Sequence, residues 1–159
     1  MRHAILSMCG CPPLTMTLAV MSLLADRLIT TLHSQLPHQP MSVGGAEGVV
    51  VVFPAAHSDV GDIQVHDNGD ELIVMVGNFT HTHFNNHDRG LSNSERAERI
   101  ADDVVAFLKD IFSDRIEFFG SHTGAGGWRK RKPKERGFLS KAVFGSKTYV
   151  WSGPVGNDG

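Results

Sequence analysis

The sequence predicts an α+β domain: a mostly antiparallel sheet of five to six strands with two amphipathic helices packed on one face. Three observations lead there. Two stretches space their apolar residues by three and four, as helices do. Strand-like runs cluster between and after these stretches instead of alternating with them, so βαβ units are not expected. Asn68-Gly69 lies between two alternating runs, the strongest short hairpin signal.

The first helix follows from Leu14, Leu18, Met21, Ala25, Leu28 and Leu32, a stripe widened by Leu24, Ile29 and Leu36. Thr17, Ser22, Asp26, Thr30 and His33 form its polar face, and Leu36-Pro37 ends it. Residues 1–13 are expected to be a loose extension before a single domain over 14–152, because Pro12-Pro13 interrupts any helix. The same end supports another reading. No charged residue occurs from His3 through Ala25, so residues 1–25 also imitate a cleaved signal or membrane anchor.

After the Pro/Gly-rich His38–Gly48 linker, four consecutive valines and Phe53 predict a strand buried on both faces. Asp62–His66 and Glu71–Asn78 then flank the turn. Pairing Asp67 with Asp70 in a type I′ turn sets Val65 opposite Leu72 and Ile63 opposite Val74, all on one apolar face. Ser92-Asn93-Ser94-Glu95 is a capping box. The core face of the second helix reads Ala97, Ile100, Ala101, Val104, Phe107, Leu108 and Ile111, to about Phe112. Arg115–Phe119 and Lys147–Trp151 predict further strands, with Gly120–Gly127 a connection between strands and Gly153–Gly159 a disordered tail.

Composition is that of an ordinary globular chain: 41% hydrophobic and 20% charged over 159 residues, with net charge −2. The molecule as a whole therefore has no long-range pull toward nucleic acid or anionic lipid. Cys9 and Cys11 are separated by one residue, which is short of the usual redox or zinc knuckle. Two free thiols in a reducing, cytoplasmic setting are expected.

Two clusters carry the chemistry. The first is Gly77–His87, holding His81, His83 and His87, three of the nine histidines in seven residues. Chance gives about 0.4 such triplets in a chain of this composition. If the third strand runs on through His83, then Phe79, His81 and His83 share a face. A bulge at Gly77 then sets His57 opposite His81. His57, His81 and His83, with Asp59 or His87 as a fourth group, form a candidate site for zinc or another divalent transition metal. Without metal, one histidine oriented by Asp59 serves as a general base in a hydrolase-type enzyme. On a plain structural reading, Thr80 and Thr82 occupy a solvated face and His87-Asp88 is turn chemistry.

The second cluster lies in the last third, where nine of the fifteen Lys/Arg fall between Arg115 and Lys147. Trp128, Arg129, Lys130, Arg131, Lys132, Lys134 and Arg136 form a basic loop beside an indole. It can dock an acidic protein partner or track a nucleic-acid backbone with Trp128 stacking. Gly120–Gly127 lacks the Gly-Lys-Ser/Thr ending and the following helix that a phosphate loop needs. Asn78-Phe79-Thr80 has the form of a glycosylation acceptor, and no G-x-S-x-G nucleophile elbow occurs. The leading expectation is a small soluble, non-catalytic binding protein using the basic C-terminal loops, with the histidine-centred enzyme and the nucleic-acid module as alternatives.

Overall fold

The computed structural model describes residues 21–77, 79–120, 126–131 and 148–155. Among these residues, two helices and nine short strands are arranged as α1 (Leu23–Gln35), β1 (Ser42–Val43), β2 (Val49–Phe53), β3 (Ile63–Asp67), β4 (Glu71–Val76), β5 (Thr80–Asn85), α2 (Asn93–Phe112), β6 (Ile116–Phe119), β7 (Gly127–Lys130), β8 (Thr148–Val150) and β9 (Gly153–Pro154). The α+β class holds, and every strand pairing among the described residues is antiparallel. The strands divide into two sheets, a five-stranded meander β1-β2-β3-β4-β5 and a four-stranded sheet β7-β6-β8-β9.

Helix α1 begins later than its apolar stripe suggests. Ser22 is the N-cap, its hydroxyl accepting from Ala25 N at 3.0 Å and donating to the Asp67 carboxylate on β3. Met21 is exposed instead of continuing the stripe, while Leu24, Ala25, Leu28 and Leu32 are buried. A good cap outcompetes periodicity because it satisfies amide groups that the next turn would otherwise leave open. Leu14 and Leu18, residues 1–13 with their expected loose extension, and Cys9/Cys11 lie outside the described residues.

Helix α2 carries the predicted capping box: Glu95 N donates to Ser92 Oγ and Ser92 N to Glu95 Oε2 at 2.9 Å. All seven of its predicted core positions are buried. The two helices run parallel, since Arg27 donates to Ser94 near their starts and Lys109 donates to Gln35 near their ends. They close the inner face of the five-stranded sheet, where Val51, Phe53, Ile63, Val65, Leu72, Val74 and Val76 are buried. Within β2, a bulge between Val49 and Val51 explains why Val50 and Val51 are both buried although they are adjacent. Burial on both faces of the sheet is not required.

The β3–β4 register differs from the sequence expectation. Val65 pairs with Val74 and Ile63 with Val76, a slip of two residues. Asn68 and Glu71 flank the turn, Asn68 N donating to Glu71 O at 3.0 Å. In this hairpin Gly69 alone has positive φ (91°), which suits a type II′ turn with glycine first and not type I′. A slip of two preserves which face each side chain takes, so the shared apolar face survives.

An aromatic seam joins the second sheet to helix α2 and to the turn between β4 and β5. Phe79 lies 5.1 Å from Tyr149 between ring centres, Phe107 lies 4.8 Å from Trp128, and Phe112 lies 5.5 Å from Trp151. At the end of α2, Asp114 adopts φ 56° and accepts from both Ser152 N and Ser152 Oγ, at 3.0 and 2.6 Å. Gly153 and Pro154 pair with β8 and Gly153 is buried, so the tail expected to start at 153 is part of the sheet through Pro154. Among the described residues no helix is long and apolar enough to cross a membrane.

Candidate functional site

Strand β4 does not continue into β5. Gly77 turns the chain with φ 47°, its N–H donating to Asp62 O at 2.8 Å, and a Cβ there would lie 1.9 Å from Val60 O. Phe79 N donates to Val76 O at 3.0 Å, and Val76 pairs with Thr80. Gly77 thus opens a hairpin and does not form a bulge within one long strand. Phe79 falls in that turn and packs inward on Tyr149, so it does not share a face with His81 and His83.

Alternation along β5 sorts its side chains. Thr80, Thr82 and Phe84 are half-buried, whereas His81, His83 and Asn85 are exposed. Thr82 is not on a solvated face: its hydroxyl accepts the Trp128 indole N–H at 2.7 Å. The histidines lie on the other face, in two cross-strand rows. Gln64, Met75 and His81 form one, and His66, Ile73 and His83 the other. The His81 and His83 rings meet edge to face with centres 5.1 Å apart.

His83 has a built environment. Its Nδ1 lies 3.0 Å from Glu71 Oε2, and Glu71 also accepts from Asn68 Nδ2 at 3.1 Å and Asn85 Nδ2 at 3.5 Å. The Asn68 amide first, and the His83 imidazole next, hold the Glu71 carboxyl below its ordinary value. An ionised carboxylate only accepts, so His83 Nδ1 carries the proton in this contact.

His57 and Asp59 are placed elsewhere, in the β2–β3 loop. Asp59 N donates to His57 Nδ1 at 3.2 Å, and the imidazole lies against Gly153, where a Cβ would come within 2.9 Å of its Cδ2. Among the described residues no three His, Cys, Asp or Glu side chains are grouped to hold a metal, so His57, Asp59, His81 and His83 do not form one ligand set. His87 lines a separate cleft of about 350 Å³ with Asp70, Asn86, Arg89 and Arg96. There Arg96 Nη2 donates to Asp88 O at 3.2 Å, and its Nε is enclosed without a partner among the described residues.

The described part of the basic segment is strand, not loop, as far as Lys130. Trp128, Arg129 and Lys130 lie on β7, paired with Phe118, Glu117 and Ile116. The Trp128 indole packs on Phe107 and is turned inward, away from the stacking role expected for it. Glu117 meets Arg129 at 2.8 Å and Arg131 at 3.6 Å, while Asp110 meets Arg115 at 2.6 Å and Lys130 at 3.3 Å. Lys132, Lys134, Arg136, residues 121–125 of the glycine-rich connection, and Asn78 of the glycosylation acceptor lie outside the described residues.

His66 and Glu71 were missed by sequence reasoning. The available signal was Gly77-Asn78, a turn dipeptide that would have ended β4; read as a two-residue turn it pairs Glu71 with Phe84, one residue short of the observed Glu71–Asn85 pair. No family model, no curated protein and no solved structure matches this chain.

Proposed function

We propose that this chain is a non-catalytic binding protein that docks an acidic protein surface through the β6–β7 hairpin and the basic segment after it. One observation carries the reading. Among the described residues, Arg115, Arg129, Lys130 and Arg131 gather at this hairpin and pair with two carboxylates, Asp110 and Glu117. Arg129 and Lys130 keep 65% and 75% of their side chains exposed, so the pairs orient the cations without removing them from solvent. Lys132, Lys134 and Arg136 follow directly in sequence. The inward turn of Trp128 favours a protein surface over stacking on bases. The one-residue spacing of Cys9 and Cys11 supports a reducing, cytoplasmic setting.

Anisotropy of a labelled glutamate-rich peptide, beside a DNA duplex of equal charge, tests the reading across salt concentrations. The peptide is expected to bind the wild type. Combining Arg129→Gln, Lys130→Gln and Lys134→Gln should weaken it about tenfold while leaving stability within ~0.5 kcal/mol. No peptide binding at low salt, or equal binding by the variant, overturns the reading. Tighter salt-dependent binding of the duplex replaces it with a nucleic-acid function.

A further inference from the structure

The outer face of β5 holds chemistry that the basic hairpin does not use. Residues two apart on a strand are about 6.6 Å apart at the backbone. The His81 and His83 rings lean together to 5.1 Å. Metal–imidazole bonds are about 2.0–2.1 Å, and each ring centre lies about 1.1 Å beyond its nitrogen. For N–metal–N angles of about 90–110°, two such arms hold their ring centres about 4.5–5.2 Å apart. The observed separation falls in that range, although nearby rings also meet at such distances without metal.

Tautomer control is the second observation. Ligating histidines usually give their other ring N–H to a carboxylate, a backbone carbonyl or water, which orients the ring and raises the basicity of the bonding nitrogen. Glu71 stands in that relation to His83 Nδ1, so the neutral ring presents Nε2 unprotonated. Asn68 and Asn85 fix Glu71 from either side, so the turn that joins β3 to β4 also supports the histidine. His81 has no side-chain hydrogen-bond partner among the described residues and is exposed. His66, on the same face, is engaged with Gln64 at 3.2 Å and lies two strands away from β5.

We infer that His81 and His83 form a two-histidine chelate for a divalent transition-metal ion such as zinc, with Glu71 as the positioning residue for His83. Water fills the remaining coordination positions, because two ligands leave an open site. Nitrogen ligands match the borderline-soft ions of the zinc type and disfavour magnesium and calcium. This site stands independently of the acidic-partner reading.

The test is zinc titration of the untagged full chain in non-chelating buffer, read by calorimetry and by imidazole ¹⁵N shifts. One zinc per chain is expected, moving the ring nitrogens of His81 and His83 and leaving those of His57 and His66 in place. His81→Ala and His83→Ala should each weaken binding at least about tenfold, and His66→Ala should leave it unchanged. Glu71→Gln should weaken it about tenfold. It should also shift the metal-free His83 tautomer away from the Nδ1–H form, which a merely structural role would not do. Zinc that leaves the His81 and His83 nitrogens unmoved overturns the proposal. So does an unchanged His83 tautomer in Glu71→Gln, for the positioning role of that residue. The ¹⁵N shifts of the wild type decide the chelate even if a variant fails to fold.

Discussion

The two faces of β5 are built from alternate residues of one six-residue strand, yet they answer to different constraints. Inward, Thr82 satisfies the Trp128 indole and Phe84 packs on Phe107 with ring centres 5.4 Å apart. Outward, the His81 and His83 rings meet each other, and His83 meets Glu71. The inner positions are fixed by burial, where an unpaired N–H or a void carries a direct penalty. The outer positions are released from that demand, and there imidazoles can be carried at little cost to folding.

The largest break in this comparison is expected on the inner face. Leu72 is fully buried opposite Phe84, and Leu72→Ala should lower stability by about 2–5 kcal/mol in urea denaturation. Thr82→Val keeps the shape but orphans the indole N–H, for a loss of about 1–3 kcal/mol with an unchanged denaturant slope. Away from both faces, Ser92→Ala removes the α2 cap and should cost about 1 kcal/mol. On the outer face, His81→Ala should stay within about 0.5 kcal/mol of the parent.

Acid unfolding sharpens the same contrast. The Ser92 hydroxyl, then its backbone N–H, hold Glu95 below the ordinary carboxyl value of 4.5, as the Asn68 amide and His83 do for Glu71. A carboxyl with a lowered folded value contributes stability above about pH 4.5 and loses it as pH falls through that folded value. Glu71→Gln and Glu95→Gln should therefore each flatten the stability profile below pH 4.5, measured by denaturation at stepped pH.

Legibility followed the strength of local signals. The capping box at Ser92 and the periodic face of α2 were readable because each rests on spacing within one helix. Parity along β3 and β4 was also readable, but parity is blind to a slip of two, and the choice between type I′ and II′ turns set the actual register. The break at Gly77 was the costly omission. Extending β4 to His83 drew His57 toward His81, whereas the hairpin sends β5 back along β4 and sets Glu71 beside His83. That contact joins residues twelve apart across the turn opened by Gly77 and depends on the register this turn sets, which no spacing rule encodes. Trp128 beside a run of cations looked exposed, because its partners Thr82 and Phe107 are distant in sequence.

The most direct measurement of the division between the two faces pairs Thr82→Val with His83→Ala and reads urea stability and zinc affinity on both. Thr82→Val should lose about 1–3 kcal/mol of stability and keep the parent's zinc affinity. His83→Ala should keep the parent's stability within about 0.5 kcal/mol and bind zinc at least about tenfold more weakly. Equal stability losses in the two variants, or a zinc affinity that follows Thr82 and not His83, would contradict it.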